Sequence, residues 1–301
     1  MKPSGFFGKL FLGQYYFTIA LRRRRPQGIA GGLPFRAEAV IPSTKVDWAA
    51  DPMLIDDGER TWLFYEAVHG QKGRIEVAEV TDDCKLSEPT VLLEDECHYS
   101  YPFVFKAKGE WYMIPESSAA NEVRLYRAES FPFRWELQRI LLKARAVDTT
   151  VLEKDGMYWL LTFLLDNGTE RVFPKAYVLT DWSEPDLKEV PWQEFDPLRV
   201  RGAGPVFREG KDMLRPAQIS TESRYGDGLA FYHAEPSEHY REELSFEVLE
   251  KDIKAGVCFV DGLHTYTASG RYEAIDIRCR AFEPFKLIKR MIPKRGKTNG
   301  Y

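Results

Sequence analysis

The chain repeats one pattern of apolar and polar positions: an apolar run, a polar turn that contains glycine, and an aromatic-rich apolar run. Residues 51–66, DPMLIDDGERTWLFYE, align without gaps on residues 101–116, YPFVFKAKGEWYMIPE, and on residues 148–163, DTTVLEKDGMYWLLTF. Residues 204–218 repeat the pattern with a turn one residue shorter, and residues 264–277 form a looser fifth copy. Short apolar runs on both sides of such a turn are typical of β-hairpins.

Each hairpin is followed by a further strand-like run. These runs are at 74–80, 122–129, 176–182, 229–235 and the end of the fifth copy, and fourth strands are predicted at 90–95, 135–143 and 245–250. Small antiparallel sheets repeated at about fifty residues are typical of a β-propeller. A two-sheet sandwich would need less regular hairpins. The sequence therefore predicts an all-β fold, a five-bladed β-propeller.

Three segments follow from this prediction. Residues 1–45 form an N-terminal segment with a candidate ring-closing strand at 14–22, QYYFTIALR, because a propeller must hide its sheet edges. Residues 46–285 form the propeller, and residues 286–301 form a basic tail. The apolar stretch GFFGKLFLGQYYFTIAL is short for a membrane span and contains Lys9 and Gln14, so we interpret it as a buried strand with its lead-in.

Composition and charge narrow the function classes. The 301 residues carry a formal net charge of −4, so no overall basic field indicates nucleic acid as a partner. Two basic stretches, Arg22–Arg25 and the tail from Arg280 to Lys297, are interpreted as a solvated edge and a loose tail, with contact to an anionic surface as the alternative. The four cysteines show no metal-ligand spacing, which favours buried thiols in a reducing compartment, the cytoplasm.

Polar residues lie at the open ends of the hairpins. A constant index sum across an antiparallel hairpin predicts three facing pairs: Asp51 with Glu66, Tyr101 with Glu116, and Asp148 with Phe163. In the fourth copy Gln218 takes the place of Glu66 and Glu116. Innermost strands of a propeller run along the central channel, so these ends should converge at one mouth.

Four carboxylates at one mouth are costly unless they bind something. A single Asp before Pro more often orders a loop by accepting backbone hydrogen bonds. The repetition of Asp51 and Asp148 at one position, and of Glu66 and Glu116 at another, favours a binding or catalytic role instead.

Three further kinds of side chain are candidates at the same mouth. Arg215 is expected to pair with one of the acids or with an anionic ligand group. His264 is a hydrogen-bond donor, a member of a metal shell or a packed ring, and these alternatives stay open. Trp48 and Tyr101 are candidates to stack on sugar rings, although most aromatic residues belong to the core between blades. The remaining histidines form no spaced ligand set, so no zinc site is predicted.

The five-copy layout, ADP at Asp51 and VDTTV at Asp148 resemble the five-bladed propeller glycosidases of glycoside hydrolase families 43 and 32. The resemblance implies that Asp51 is a base or nucleophile and that Asp148 orients the substrate and tunes the pKa of its neighbours. The run YMIPESSAANEVRLYRA, and RPAQ followed by RYGDG, more closely resemble the propeller domain at the amino end of plant glucosamine inositolphosphorylceramide transferases and its bacterial relatives. This closer resemblance covers most of residues 46–280.

One departure from the hydrolase pattern affects the expected mechanism. Those families place a general acid, a Glu, just before Gly-Pro in the fourth blade, where this chain has Ala203-Gly204-Pro205. Glycoside hydrolysis needs an acid and a second carboxylate on the two sides of the bond. Either Glu116 substitutes as the acid, with a pKa raised by neighbouring carboxylates, or hydrolysis has been lost.

Two hypotheses therefore stand. In the first, the protein is a glycosidase-like enzyme that acts on a glycan or glycolipid sugar, with Asp51, Glu116 and Asp148 as catalytic residues. In the second, it is a glycan-binding accessory module of a glycosyl-transfer pathway, with a glycosyltransferase as partner. No cofactor is predicted. A structural calcium ion is compatible with the acids, but nothing in the spacing demonstrates one.

Overall fold

A computed structural model describes residues 12–41, 47–70, 72–166, 168–257 and 259–282. Nearly all regular structure in these ranges is β-strand. The helical segments are α1 (Gly28–Gly31) and two 3₁₀ turns, Ser118–Ala120 and Glu250–Asp252. Within these ranges, no helix combines the length and the apolar composition needed to cross a bilayer. The predicted basic tail lies outside the described residues.

The first three strands belong to the N-terminal segment: β1 (Leu12–Arg23), β2 (Phe35–Arg36) and β3 (Ala39–Val40). Three antiparallel four-stranded sheets follow in sequence order. Blade one contains β4 (Trp48–Asp56), β5 (Thr61–His69), β6 (Lys72–Val80) and β7 (Thr90–Leu93). Blade two contains β8 (Ser100–Ala107), β9 (Glu110–Ser117), β10 (Glu122–Ser130) and β11 (Arg134–Leu142). Blade three contains β12 (Ala146–Lys154), β13 (Met157–Leu165), β14 (Val172–Leu179) and β15 (Lys188–Val190).

The last two blades complete the propeller. Blade four contains β16 (Phe207–Glu209), β17 (Asp212–Thr221), β18 (Arg224–Pro236) and β19 (Tyr240–Leu249). The short β20 (Ile253–Lys254) pairs in parallel with β2. Blade five is built from β21 (Val260–Ala268), β22 (Tyr272–Phe282), β1 and β3, in that order. The prediction of an all-β, five-bladed propeller is confirmed.

The N-terminal strand closes the ring, as the sequence predicts. β1 pairs antiparallel with β22 over nearly its full length, with Thr18 opposite Ile277 and Ala20 opposite Ile275. The outer edge of this blade is formed by β3, which pairs with β1 at Ala20 and Leu21. β1 and β3 are therefore part of blade five, and the two halves of this blade come from opposite ends of the described chain.

Two of the innermost hairpins have the tightest possible connection. The residues at the tips are Lys108-Gly109 and Asp155-Gly156, and all four have positive φ, at 49°, 89°, 54° and 75°. Positive φ at both central residues is the type I′ geometry, whose twist matches that of the flanking strands. These turns explain why the polar, glycine-containing break in the sequence pattern produces a hairpin.

Aromatic side chains fill the spaces between neighbouring blades. Between blades two and three, Trp182 contacts Phe105, Tyr112 and Tyr158, with ring centroids 4.7–6.2 Å apart. Between blades one and two, Phe131 stacks on Trp111 and contacts Phe64. These aromatic residues therefore belong to the core between blades, as predicted. Their packing holds together the blades that carry the polar residues described below.

The arginine run near the N-terminus is solvated only in part, because its first residue, Arg22, is buried. Arg22 is buried and its Nε donates to Glu273 at 2.6 Å, while its guanidinium lies over the ring of Phe35. Arg23 and Arg25 pair with Glu38 on the surface. The interpretation of Arg22 as a solvated residue or a contact to an anionic surface is therefore wrong, because its guanidinium forms a buried ion pair with Glu273 inside blade five.

Cys84 and Cys97 carry free thiols, and Cys258 lies outside the described residues. Cys84 and Cys279 are buried, as expected, whereas Cys97 is only partly buried. The cytoplasmic location stays a prediction.

Candidate functional site

Three residues at equivalent positions of the innermost strands share an unusual backbone conformation. Asp51, Tyr101 and Asp148 have φ values of 51°, 41° and 49°. The pairing register shifts at each of them, which marks a β-bulge in β4, β8 and β12. A left-handed conformation at a non-glycine residue costs on the order of 1–3 kcal/mol and concentrates at functional sites. Its occurrence in three blades identifies these bulges as the frame of the candidate site.

The bulges also correct the predicted facing pairs. The predicted register holds from the turn as far as Met53, which pairs with Phe64, and then slips, so that Glu66 lies opposite Ala50 rather than Asp51. Likewise Glu116 lies opposite Ser100, and Phe163 lies opposite Val147. The prediction was wrong by one residue in each blade, because a bulge adds a residue to the inner strand.

Asp51 connects three blades through its hydrogen bonds. Its Oδ2 accepts the backbone N–H of Tyr101 at 3.1 Å, and its Oδ1 accepts the hydroxyl of Thr265 at 2.8 Å. Its own backbone N–H donates to Asp276 Oδ2 at 2.9 Å. Burial raises the pKa of Asp51, the charge of His264 opposes this, and the net pKa is about 6. Asp51 is therefore held in place by groups of blades two and five.

His264 and Asp276 form a buried ion pair beside Asp51. His264 Nδ1 lies 2.5 Å from Asp276 Oδ2 and 3.8 Å from Asp51 Oδ1. Burial lowers the pKa of His264, but the carboxylates of Asp276 and Asp51 outweigh burial and raise it to about 9. The imidazole ring stacks on Phe17 at 4.4 Å and on Tyr225 at 5.5 Å. The structure thus assigns His264 the role of a packed, charged hydrogen-bond donor.

Asp148 is bound by two donors, Arg201 from the segment that leads into blade four and Gln218 from β17 of that blade. Arg201 Nε lies 2.5 Å from Asp148 Oδ2, and Gln218 Nε2 lies 3.2 Å from the same oxygen. Burial raises the pKa of Asp148 to about 6, although Arg201 opposes this shift. The guanidinium of Arg201 lies over the ring of Tyr225 at 4.8 Å. Position 202 must be glycine, because a Cβ there would lie 2.6 Å from the backbone oxygen of Asp148.

Glu66 and Glu116 complete the group of acids. Glu66 Oε1 lies 3.0 Å from His98 Nε2, and burial raises the pKa of Glu66 to about 7 despite this contact. Burial also raises the pKa of Glu116, where Arg201 and a hydrogen bond from Ser118 act in the opposite direction. The charges of Asp51 and Glu66 both act on Glu116. Asp51, Glu66, Glu116, Asp148, His264 and Asp276 are called the acidic cluster below.

Two predicted site residues have structural roles instead. Arg215 is buried and forms a bidentate pair with Glu242, from Nε at 2.7 Å and Nη2 at 2.6 Å, so its expected pairing with an acid of the mouth is wrong. Tyr101 is fully buried, and its hydroxyl contacts Thr150 Oγ1 and accepts the backbone N–H of Gly204 at 2.8 Å. Its ring has no exposed face for a sugar.

Trp48 retains a place near the mouth. Its ring lies parallel to Tyr15, with centroids 6.4 Å apart, and edge-on to Phe17. Since Phe17 stacks on His264, these aromatic residues extend from the acidic cluster to the exposed ring of Tyr15. A sugar stacked on this surface stays a prediction.

Position 203, where the sequence resemblance leads us to expect the general acid of the hydrolases, lies among apolar residues. Ala203 is fully buried in an apolar cluster with Leu229, Leu263 and Tyr266. Its backbone N–H donates to Pro216 and its backbone oxygen accepts from Tyr266. A carboxylate at this position would lie in the core of the blades, so the acid is absent from both the sequence and the local geometry.

Sequence reasoning missed Arg201 and Asp276. Arg201 precedes the fourth hairpin in the run VRGAGP, and an arginine two residues from the position of the expected acid was a usable signal. Asp276 lies between Ile275 and Ile277 in a strand-like run, where a charged residue flanked by apolar neighbours indicates a buried, paired carboxylate.

Three residues of the acidic cluster are close enough together to be considered as ligands of a metal ion. Asp51, His264 and Asp276 each offer a ligand atom, and these atoms lie within 4.8 Å of one another. However, Asp276 already accepts the backbone N–H groups of Asp51, His264 and Thr265 as well as the imidazole. The imidazole and the backbone N–H groups thus occupy the oxygens of Asp276, and these contacts favour an ion pair over a metal ligand set.

Comparison with solved structures agrees with this architecture. A β-1,3-galactosidase of glycoside hydrolase family 43, solved with galactodeoxynojirimycin, is similar to this chain with a TM-score of 0.51 and 11% sequence identity, covering 73% of this chain and 82% of the other. At that identity the likeness shows the fold: a propeller of the kind found in glycoside hydrolase family 43.

The sequence defines a more particular family. Residues 36–264 match the family described as "Glucosamine inositolphosphorylceramide transferase 1, N-terminal", and the chain belongs to this family. Glucosamine inositolphosphorylceramide transferase 1 of Oryza sativa subsp. japonica is 30% identical over 258 residues, which cover 78% of this chain and 34% of that protein. The Arabidopsis thaliana protein of that name is 31% identical over 214 residues, 67% of this chain and 28% of that protein. The chain thus spans about a third of the length of these curated relatives.

Proposed function

We propose that the acidic cluster binds a sugar of a glycan or glycolipid and acts on its glycosidic bond. In this proposal Asp51 is the base or nucleophile, Glu116 donates the proton to the leaving oxygen, and Asp148 positions the sugar. The observation that supports it most is the different environment of two neighbouring carboxyls. Asp51 accepts a hydroxyl and a backbone N–H beside the imidazole of His264, whereas Glu116 accepts a hydroxyl from Ser118 and lies within the influence of Arg201.

Glycoside hydrolysis requires two carboxyls in different protonation states. One carboxyl must be ionised, to act as base or nucleophile, and the other must be protonated, to act as acid. Asp148 is less suited to proton transfer because its Oδ2 is occupied by Arg201 and Gln218. A held carboxylate of this kind is suited to accept hydrogen bonds from sugar hydroxyls through its remaining oxygen.

The role of Glu116 can be tested with two classes of substrate. For substrates with an alcohol leaving group, the Glu116→Gln variant should lose about 10²–10⁴-fold in kcat, the usual contribution of a general acid. For 4-nitrophenyl glycosides the loss should be small, because 4-nitrophenolate leaves without protonation. Glu122→Gln, at a partly exposed Glu paired with Arg124, is the matched control. Equal losses on both substrate classes would show that Glu116 is not the acid.

A second candidate function is sugar binding without cleavage, as an accessory module in a glycosyl-transfer pathway with a glycosyltransferase as partner. The buried position of Ala203 favours it, because the fourth-blade acid of the related hydrolases has no equivalent there. It predicts calorimetric binding of a glycan without release of product during long incubation. Release of a reducing sugar that depends on the acidic cluster would exclude it.

A further inference from the structure

A small pocket adjoins the acidic cluster on the side of Tyr225. It has a volume of about 140 Å³, and its walls include Tyr15, Phe17, Tyr225, Arg224, Arg278 and Arg280. Ligand pockets for whole drug-sized molecules are roughly 300–1,000 Å³, so this volume suits one substituent of a larger ligand. Phe17 and Tyr225 both stack on His264, which makes the two rings the boundary between the pocket and the acidic cluster.

The charges on this side differ from those of the acidic cluster. Three guanidiniums share two carboxylates: Arg224 pairs with Asp227, Arg280 with Asp261, and Arg278 with both. Glu170 also lines the pocket, and its carboxylate lies 3.6 Å from Arg201 Nη1.

Arg278 acts as the scaffold of the pocket, and the other two arginines are its accessible groups. Arg278 is almost fully buried and donates to Asp261, Asp227 and the backbone oxygen of Tyr225. Arg224 and Arg280 are 43% and 33% exposed and contact one carboxylate each, through Nη2 and Nε. A guanidinium has five N–H donors, so one such contact uses only part of each group. Arginine is the side chain best suited to bidentate recognition of phosphate and carboxylate.

We propose that this pocket binds an anionic substituent, a phosphate or a carboxylate, carried by the sugar that occupies the acidic cluster. The inference rests on the proposed function, since it assigns the adjoining subsite of the same ligand. An acidic cluster beside an arginine-lined pocket then selects the orientation of the sugar: the anionic group is repelled from the carboxylates and bound by Arg224 and Arg280.

Calorimetric binding of paired probes tests the inference. The probes are glucose, galactose, mannose and N-acetylglucosamine, their 1- and 6-phosphates, and glucuronate and galacturonate as carboxylate probes. At least one phosphate or uronate should bind about tenfold or more tightly than its parent sugar, as expected for charge-assisted hydrogen bonds. The two anion types distinguish phosphate from carboxylate as the preferred group. Inorganic phosphate should compete with the anionic group for the pocket and so reduce the difference in affinity between each anionic probe and its parent sugar.

The preference should disappear in the Arg224→Gln/Arg280→Gln variant and persist in Arg60→Gln, at an exposed arginine paired with Glu79 in blade one. If parent sugars bind but the anionic forms bind no more tightly, or if the double variant keeps the preference, the inference is wrong and the proposed function stands. If no parent sugar binds while the phosphates bind through these arginines, the proposed function is wrong and the anion site stands. If no probe binds, both are wrong.

Discussion

Arg201 and Asp148 form a direct ion pair that joins blades three and four within the acidic cluster, with Nε 2.5 Å from Oδ2. The two side chains are 13% and 3% exposed, so this contact is largely withdrawn from water. Arg201 also influences Glu116 and lies over the ring of Tyr225. The pair therefore determines both the position of Asp148 and the charge balance of the acids around it.

Replacing Arg201 with Gln should destabilise the protein, because it leaves Asp148 buried without its cationic partner. Breaking a buried ion pair by removing one member costs roughly 3–5 kcal/mol. Urea unfolding measures the free energy of unfolding. The control is Arg171→Gln, in the exposed pair with Glu222, where the loss should be below about 1 kcal/mol. Equal losses in the two variants would contradict the assigned role of Arg201.

The stability of the protein should fall as pH rises from about 6.5 to 9. His264 has a folded-state pKa of about 9, above its ordinary value of 6.5, so the folded protein binds this proton more tightly. The resulting stabilisation is complete below the unfolded pKa and is lost as pH rises through the folded pKa. The pKa values of Asp51 and Glu66 are also raised in the folded protein, to about 6 and 7. Loss of their protons therefore also lowers the free energy of unfolding as pH rises, but at lower pH than for His264.

Urea unfolding of the wild type and His264→Gln at pH 6, 7, 8 and 9 checks this prediction. The wild type should lose free energy of unfolding across the series, and the variant should show a flatter profile from a lower starting value. Parallel profiles would show that His264 does not titrate in this range, and that Asp276 does not hold it charged.

Introducing the acid of the related hydrolases should not restore their chemistry. Ala203→Glu places a carboxyl in a fully buried apolar cluster, and we expect a loss of more than about 3 kcal/mol with no gain in glycosidase activity. Ala119→Glu, at an exposed position, is the control. A well-folded Ala203→Glu protein with increased turnover would show that position 203 can reach the acidic cluster.

Tyr101→Phe separates a structural role from a sugar-stacking role. The variant removes a hydroxyl that accepts the N–H of Gly204, and an unsatisfied buried donor costs about 1–3 kcal/mol. Sugar affinity, measured by calorimetry, should stay within about twofold, because the ring is buried away from ligand. A stable variant with strongly reduced sugar affinity would reverse this assignment.

The fold could be predicted from the sequence because each blade repeats a local signal. An apolar run, a glycine-containing turn and an aromatic run determine a hairpin without reference to distant residues, as the turns at Gly109 and Gly156 show. The ring-closing strand was also predictable, since a propeller needs a partner for β22. The short outer strands β3 and β15 carry too few residues for a pattern and were not predicted.

The site was predicted less completely, for two physical reasons. The bulges at Asp51, Tyr101 and Asp148 depend on contacts between blades, such as the hydrogen bond from Tyr101 N–H to Asp51, and so shift the register in a way that a single hairpin does not reveal. Arg215 on β17 could have paired with any nearby acid, and Glu242 on β19, which lies on the other side of β18, provided a bidentate partner.

Measuring turnover by the Asp51→Asn variant tests directly whether Asp51 is the base or nucleophile of a glycosidase-like enzyme. Asn has the same shape and also adopts positive φ more readily than most residues, so the bulge at position 51 should be retained. If Asp51 is the base or nucleophile, the wild type should cleave a glycoside. The variant should show unchanged thermal unfolding and bind the same glycoside, but it should release no product. Turnover by Asp51→Asn at the wild-type rate would show that Asp51 is not the base or nucleophile.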